Sequence, residues 1–279
     1  MQNSFWQTTR FRIDLGRPKV MGIVNLTPDS FSDGGRHATS AAAVRHCEQL
    51  VAEGADLLDL GAESSRPGAD PLPLEEEQSR LLPVLREALK LGVPISVDTY
   101  KPETMRAALD LGADIVNDIY ALRWPGALEA IGAHPTCGVC LMHMQGEPAS
   151  MQKQPLYGDV LEEVSRFLTE RAATLQRAGV QPDRIVLDPG IGFGKTVEHN
   201  VALLARQAEL LRLGHPLLIG WSRKSSLGAL TGRPVEQRQA ASIAAAMAAA
   251  QRGARVLRVH DVAGTVDALK VGEAAGLLP

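Results

Sequence analysis

The chain has 279 residues, of which 45% are hydrophobic and 22% charged, and its formal net charge at pH 7 is -3. This composition is typical of a globular protein with a buried core, and the slightly negative charge argues against a nucleic-acid partner. Residues 1–16 contain no continuous apolar stretch, so we expect no secretory signal, and residues 240–250 are too few and too rich in alanine to span a membrane. The odd number of cysteines, three, favours a reducing compartment over a disulfide framework and predicts a cytoplasmic protein.

Short apolar runs recur along the whole chain and indicate buried strands. Each is rich in Val, Ile or Leu and bounded by Gly, Pro or Asp. The eight runs are residues 20–26, 57–63, 94–100, 114–120, 138–144, 184–190, 216–222 and 255–261.

Helical patterns lie between most of these runs. Several of them end in a glycine just before the next strand, which is the usual stop signal of an α-helix; these glycines are Gly54, Gly92, Gly112, Gly179, Gly214 and Gly253. Strand followed by helix, eight times over, predicts an α/β fold of the (β/α)8 (TIM) barrel type that forms a single domain over residues 1–279. A doubly wound open sheet is the competing fold, but it usually has fewer strands. Residues 5–19 are expected to form a short β-hairpin that closes the bottom of the barrel.

The predicted strands end in polar or ionisable residues, which is where a barrel carries its functional groups. The cations at these ends should meet over one barrel mouth and suit a phosphate or pyrophosphate group; they are Arg66, Arg223, Lys224, Arg258 and His260. The carboxylates of Asp98 and Asp188, with the amide of Asn117, could bind a metal or pair with the N–H edge of a nitrogen heterocycle. A dedicated metal cage is not favoured, but a Mg²⁺ ion shared with substrate phosphates needs only one or two protein oxygens, and Asn25 could supply one.

Three further motifs suggest phosphate binding by a P-loop, redox chemistry and metal binding, and none of these functions is favoured. The segment PGIGFGKT at residues 189–196 is one residue short of a P-loop, because Pro189 occupies the place of the first glycine. Cys137 and Cys140 form a CxxC pattern, but it runs into a strand instead of opening a helix, so redox chemistry is not favoured. His143, flanked by two methionines, is interpreted as a histidine of a pocket wall more readily than as a metal ligand.

Taken together, the strand ends resemble the dihydropteroate synthase family. The matching segments are MGIVNLTPDSFSDGG, GAESSRPGA, PISVDTYKP, DIVNDI, CLMHMQG, LDPGIGFGK, WSRKSSLG and RVHDV, which run in the family's order from residue 21 to residue 262. The resemblance implies an enzyme that joins 6-hydroxymethyl-dihydropterin diphosphate to 4-aminobenzoate and releases pyrophosphate. It also implies a homodimer formed through the late helices. The implied path is dissociative and uses no protein nucleophile, although the sequence leaves a concerted path open.

The resemblance assigns roles residue by residue. Asn25, Lys224, Arg258 and His260 are expected to be catalytic, with Asn25 as the Mg²⁺ ligand. The pterin diphosphate is expected to contact Ser65, Asp98, Asn117, Asp188, Lys224, Arg258, Val259 and His260. The 4-aminobenzoate is expected to contact Phe31, Ser65, Arg66, Pro67, Phe193 and Ser222.

The sequence departs from the common family pattern at four positions. Ser65 stands where Thr is usual, Ala62 where Gly is usual, Trp221 where Met is frequent and Ile191 where Phe is frequent. Because Ser65 keeps the hydroxyl group, we expect activity to be retained. Two alternatives stay open: a folate-dependent methyltransferase, which would lack the SRPG and SRKS segments, and a non-catalytic paralogue that binds a pterin. Residues 27–35 are interpreted as a flexible loop that covers the barrel mouth, with Gly34 and Gly35 as hinges.

Overall fold

Eight parallel strands close into a barrel in this protein. The computed structural model describes residues 4–27, 35–64, 70–147, 151 and 155–278. The strands are β1 (Phe5–Gln7), β2 (Arg12–Asp14), β3 (Lys19–Asn25), β4 (Leu57–Gly61), β5 (Ile95–Asp98), β6 (Ile115–Asp118), β7 (Gly138–Met142), β8 (Ile185–Asp188), β9 (Leu217–Ile219) and β10 (Ala254–Val259). Strands β3 to β10 pair in sequence order, and β10 returns to pair with β3. The predicted (β/α)8 barrel is confirmed, since each of the eight apolar runs contains one of its strands.

Helices follow the barrel strands and cover their outer faces. They are α1 (Gly35–Ala52), α2 (Leu74–Ala88), α3 (Pro102–Leu111), α4 (Ala127–Ala133), α5 (Val160–Arg177), α6 (Val197–Ala205), α7 (Ser225–Thr231), α8 (Gln239–Gln251) and α9 (Val262–Ala274). The six glycines expected to stop helices all have positive φ angles, between 75° and 104°. An L-residue with a side chain adopts such angles only at a cost, which explains why glycine stands there. None of the helices in the part of the chain that the structure describes is long and apolar enough to cross a membrane.

The predicted N-terminal hairpin is confirmed and closes the bottom of the barrel. Strands β1 and β2 pair antiparallel, with Trp6 opposite Ile13. Trp6 is fully buried, and its indole N–H donates to the carbonyl oxygen of Arg184 at the start of β8, at 2.9 Å. Arg10 in the hairpin turn forms an ion pair of 2.6 Å with the buried carboxylate of Asp114, just before β6. The closed bottom leaves the carboxyl ends of the strands as the accessible mouth.

Two apolar layers hold the barrel together. Inside it, Trp6 and Leu15 pack against inward-facing side chains of the strands; these are Met21, Leu57, Ile115, Cys140, Val186, Leu218 and Val256. The outward-facing side chains of the same strands pack against the helices in a larger core. Because side chains alternate along a strand, the inward-facing residues that follow the inner apolar layer lie toward the mouth. The fold therefore decides which polar residues can meet there.

Candidate active site

Polar side chains from five barrel strands face the carboxyl-terminal mouth. Asn25, Asp98 and Asp188 are the last residues of β3, β5 and β8, while Asn117 and Arg258 lie in β6 and β10 close to their ends. Asp98 lies opposite Asn117 in the β5–β6 register, and Asn25 lies opposite Gly61, which in turn lies opposite Asp98. The structure therefore places these five sequence-predicted residues around one opening.

Arg258 is the central cation of the site. Its Nη2 donates to Oδ2 of Asp98 at 2.8 Å, and its Nε donates to Oδ2 of Asp59 at 2.6 Å. Burial alone would lower the pKa of Arg258, but the charges of these two carboxylates raise it above its ordinary value. Arg258 is therefore a permanent cation held between two acids.

Three other ionisable groups of the mouth, Asp98, Lys224 and Asp188, also have shifted pKa values. Burial raises the pKa of Asp98 to about 7, and the Arg258 charge opposes this rise. Burial, and then the Arg258 charge, lower the pKa of Lys224 to about 8, while Asp188 and Asp98 oppose the change. Burial also raises the pKa of Asp188. Asp98 and Lys224 therefore exchange their protons with solvent at pH values close to neutral, as is common in functional sites.

Asp59 belongs to this site, although the sequence analysis did not select it. It lies in the middle of β4 and its side chain is fully buried. Its Oδ2 accepts from Nδ2 of Asn117 at 3.1 Å as well as from Arg258. A signal was present in the sequence, since a carboxylate in the middle of an apolar strand is rarely buried without a partner.

The loop after β8 is built tightly around Asp188. The backbone N–H of Gly190 donates to Oδ1 of Asp188 at 2.7 Å, and the backbone N–H of His143 donates to the carbonyl oxygen of Asp188 at 2.9 Å. Gly190 has a φ of 68°, and a Cβ atom at this position would lie 1.9 Å from the carbonyl oxygen of His143. Only glycine permits this approach, which fixes the carboxylate of Asp188.

Lys195 holds the same loop in place through hydrogen bonds of its side-chain amine. Its Nζ lies 2.9 Å from Nδ1 of His143 and donates to the carbonyl oxygens of Gly190 and Phe193, both at 3.0 Å. Burial lowers the pKa of Lys195 to about 7. Burial, followed by the charge of Lys195, lowers the pKa of His143 to about 2, so this imidazole is neutral and can accept from the amine. The lysine of the near-P-loop segment is thus bound to protein groups, and His143 is a buried histidine beside it.

Phe193, at the tip of this loop, packs against Lys224. The Nζ of Lys224 lies 4.2 Å from the centre of the Phe193 ring, which is the geometry of a cation–π contact. Lys224 immediately precedes α7 and is partly buried. This contact brings the loops after β8 and β9 together at one side of the mouth.

Ser222 and His260 form a second pair of contacting residues, in addition to Phe193 and Lys224. The Oγ of Ser222 accepts from the backbone N–H of His260 at 3.1 Å and lies 3.0 Å from Nδ1 of its ring. Val259, which the family resemblance places among the pterin contacts, packs its side chain into the outer core. From that position it can face the mouth only through its backbone.

Not every expected residue joins the cluster. Arg223 was expected to converge with the other cations, but its guanidinium donates to Oδ1 of Asp261 at 2.8 Å and its side chain is 44% exposed. Its φ of 59° turns the chain at this point, so that successive side chains leave in different directions. Cys137 and Cys140, the CxxC pair, are both buried free thiols.

Some expectations lie outside the described part of the chain. These are Phe31, Ser65, Arg66 and Pro67, together with the hinge at Gly34. Among the described residues, no group of three or more His, Cys, Asp or Glu side chains is arranged to hold a metal ion.

Comparisons with known proteins give a family and several similar proteins. Residues 21–260 match the family described as pterin binding enzyme. The chain is 53% identical over 281 residues to a dihydropteroate synthase of Neisseria meningitidis serogroup C, covering 99% of each chain. Its fold is similar to that of Xanthomonas albilineans dihydropteroate synthase with 4-aminobenzoic acid, with a TM-score of 0.90, 54% identity and 96% of each chain covered. It is also similar to Burkholderia cenocepacia dihydropteroate synthase complexed with 7,8-dihydropteroate, with a TM-score of 0.89, 48% identity and coverage of 99% of this chain and 98% of that one.

Proposed function

This chain belongs to the pterin-binding enzyme family and, within it, to the dihydropteroate synthases, and from this premise we propose how its barrel mouth carries out the reaction. The enzyme condenses (7,8-dihydropterin-6-yl)methyl diphosphate with 4-aminobenzoate to form 7,8-dihydropteroate and pyrophosphate in folate synthesis. The observation that carries the proposal is that buried or partly buried acceptors and partly buried cations share one mouth, with Arg258 bound to Asp98. A pterin needs the acceptors and a diphosphate needs the cations.

We assign the pterin ring to the acid side of the mouth. Asp98, Asn117 and Asp188 would pair with the N–H groups and acceptors along the edge of the ring, and Lys224 would donate to one of its acceptors. The side chains of Asn117 and Asp188 are buried, and the backbone N–H of Gly190 already holds Asp188 in place. Preformed partners of this kind discriminate strongly, because a mismatched ligand leaves buried polar groups unpaired.

We assign the leaving pyrophosphate to Arg258 and His260. A guanidinium can donate to two phosphate oxygens at once, and it keeps its charge throughout the accessible pH range. Negative charge grows on the pyrophosphate as the bond to the pterin methylene carbon breaks, so fixed positive groups stabilise the transition state more than the ground state. No protein nucleophile is needed, since the aryl amine of the second substrate, which is mostly neutral at pH 7, forms the new bond.

A Mg²⁺ ion fits the donor set only if it is shared with the substrate. Asn25 offers one amide oxygen at the end of β3, and a Mg²⁺ ion bound mainly by phosphates needs one or two protein oxygens. We therefore propose Asn25 as its protein ligand. When bound, the ion would add positive charge beside the diphosphate.

We assign 4-aminobenzoate to Phe193 and Ser222 at one side of the mouth and, from the family resemblance alone, to Phe31, Ser65, Arg66 and Pro67. The Phe193 ring is nearly buried and fixed by its contact with Lys224, so it could support the flat ring of the substrate. Holding the amine against the reacting carbon supplies the second main part of the rate enhancement.

The decisive experiment is an assay of pyrophosphate release with and without 4-aminobenzoate. A synthase releases pyrophosphate rapidly only when 4-aminobenzoate is present, and dihydropteroate appears in equal amount. A folate-dependent methyltransferase or a non-catalytic paralogue would give no such dependence, and that result would overturn the proposal.

We also propose that the enzyme is a homodimer formed through its late helices. Large apolar side chains are exposed in this region, and they are Leu230, Val235, Val271 and Leu277. Val271 on α9 is 68% exposed, so it is accessible to a partner subunit. Light scattering at several concentrations should give twice the chain mass, and Val271→Asp should shift the protein toward the monomer. A monomer at every concentration would contradict this proposal.

We also propose that the protein is cytoplasmic and that its chain folds as a single domain. All three cysteines are buried free thiols, as suits a reducing compartment. Cell fractionation tests the location. A single cooperative transition in urea, followed by both tryptophan fluorescence and circular dichroism, tests the domain organisation.

A further inference from the structure

A fully buried carboxylate lies beneath the mouth and contacts two residues assigned to different substrate groups. Asp59 Oδ2 accepts from Nε of Arg258 at 2.6 Å and from Nδ2 of Asn117 at 3.1 Å. Asn117 is assigned to the pterin ring and Arg258 to the leaving pyrophosphate. One oxygen atom therefore links both halves of the diphosphate substrate's binding site.

The placement of Asp59 in the barrel makes this link possible. The strand β4 has β3 and β5 as its direct neighbours, whereas Asn117 comes from β6 and Arg258 from β10. Each partner is thus two strands away, on opposite sides of β4. The side chain of Asp59 is 0% exposed, so a substrate that enters the mouth meets its partners and not Asp59 itself.

Asp59 fixes the orientation of the Asn117 amide. A carboxamide has a donor end and an acceptor end, and the two ends are almost equal in shape. An ionised carboxylate accepts only, so it selects the orientation in which Nδ2 faces Asp59 and Oδ1 faces away from it. Without the anion, a rotated amide that presents the wrong end to the pterin would become accessible.

Asp59 also fixes the plane of the Arg258 guanidinium. The Nε–H and one Nη2–H are directed at Asp59 and Asp98, respectively. Two hydrogen bonds at different edges of a planar group determine its tilt. They therefore also determine the directions of the remaining N–H donors. A donor that is preorganised in this way stabilises developing charge without reorganising during the reaction.

We propose that Asp59 is a positioning residue that couples recognition of the pterin ring to stabilisation of the leaving pyrophosphate. This inference rests on the proposed function, since it acts through residues assigned there. The competing explanation is that Asp59 merely stabilises the fold through a buried ion pair.

The chain offers a matched control for that explanation. Asp114 is also 0% exposed and forms a 2.6 Å ion pair with an arginine, Arg10, but it lies at the closed bottom of the barrel. It accepts in addition from the backbone N–H of Ile95 at 2.9 Å. Asp59→Asn and Asp114→Asn therefore remove the same charge from equally buried carboxylates at opposite ends of the barrel.

The experiment compares both variants in the full chain. Urea unfolding gives the stability of each, calorimetry gives the affinity for the dihydropterin diphosphate without 4-aminobenzoate, and steady-state assays give kcat and KM. We expect Asp59→Asn to lower kcat about 10²-fold and to weaken binding of the diphosphate about 10-fold, because its partners lose their fixed directions. Asp114→Asn should lose stability but keep the wild-type kcat and affinity.

A double-mutant cycle adds a measurement that a purely structural role would leave unchanged. In an Asn117→Ala background, Asp59→Asn should weaken diphosphate binding clearly less than in the wild type, since one of the groups it positions is already gone. Additive losses, or wild-type kcat and affinity in Asp59→Asn, would overturn the proposal.

Two further comparisons distinguish a variant that does not fold, and a failure of the proposed function, from a failure of this inference. If Asp59→Asn does not fold, the comparison is made in an Arg258→Gln background, where adding Asp59→Asn should still weaken diphosphate binding through Asn117, by less than the roughly 10-fold of the wild type, and equal affinities would refute the inference. Failure of the proposed function would instead appear in the wild type, as pyrophosphate release that does not depend on 4-aminobenzoate.

Discussion

Substituting Gly190 by alanine tests whether the loop after β8 must be tightly fixed. The new Cβ would lie 1.9 Å from the carbonyl oxygen of His143, whereas real Cβ atoms essentially never come closer than 3.0 Å. The two backbone segments must therefore part by about 1 Å, because neither contains a flexible end that could yield. Gly190 also donates to Asp188, so this carboxylate must move with the loop.

The expected cost has two parts. Alanine in the left-handed region costs about 1–2 kcal/mol at any such position. Forced separation of packed groups adds roughly 1–3 kcal/mol. Gly92→Ala isolates the first part, since Gly92 has a similar φ of 75° and a Cβ atom there would have no neighbour within 4 Å. We therefore expect Gly190→Ala to lower the free energy of unfolding by roughly 1–3 kcal/mol more than Gly92→Ala does.

Activity should separate the two variants more clearly than stability. Misplacing a positioning group by about 1 Å can reduce the rate about 10²-fold, so we expect kcat/KM for the dihydropterin diphosphate to fall by this factor in Gly190→Ala. Gly92→Ala, at the bottom of the barrel, should keep the wild-type value. The measurements are urea unfolding curves and initial rates at saturating 4-aminobenzoate. Equal stabilities and equal rates in the two variants would refute the argument that the contact between Gly190 and His143 holds Asp188.

Three further predictions concern charge and binding order. Arg258→Ala should lower kcat/KM by roughly 10²-fold or more, the usual loss for a preorganised charge-stabilising donor, and wild-type kinetics would remove Arg258 from the mechanism. The rate should fall at acid pH as Asp98, with a pKa of about 7, gains a proton, and at alkaline pH as Lys224, with a pKa of about 8, loses one. Lys224→Arg keeps its charge, so a pH profile of kcat/KM should lose the alkaline limb and keep the acid limb; an unchanged alkaline limb would point to another group. Finally, 4-aminobenzoate should bind weakly to the free enzyme and far more tightly once pterin and pyrophosphate with Mg²⁺ are present, because fixing each residue of a binding site costs about 1–2 kcal/mol, which a small ligand alone hardly offsets. Equal affinities in two calorimetric titrations would contradict this order.

The barrel could be predicted from the sequence because its signals are local. Each strand is a short apolar run, and each run lies between turn residues whose conformational demands depend on a few neighbours. The glycine at the end of α3 shows this: Gly112 has a φ of 104° and caps the helix, as its position before a strand indicated. The residues at the strand ends followed directly, since parallel strands in a closed barrel bring their carboxyl ends to one face.

The site could be predicted only as a set of strand ends. Asn117 and Asp188 were selected correctly as residues that face the mouth, but their partners were not. Lys195 is an example, since the sequence offered no reason to expect a phosphate there but also no partner for the amine, and its Nζ is bound to His143 and two carbonyl oxygens. The direction of a long side chain depends on which acceptors the surrounding loops bring near it, and those loops are far apart along the chain.

The sequence by itself determined the order of strands and helices, the closed lower end and the face on which the polar strand ends meet. Only the tertiary structure decided that Asp59 lies beneath the mouth between Asn117 and Arg258, and that Arg223 turns to Asp261. Arg258 and Asp59 are 199 positions apart, so no local pattern couples them. Their contact requires the barrel to close with a defined stagger of its strands, and burial then makes the ion pair obligatory, because an unpaired charge in that interior would be very costly.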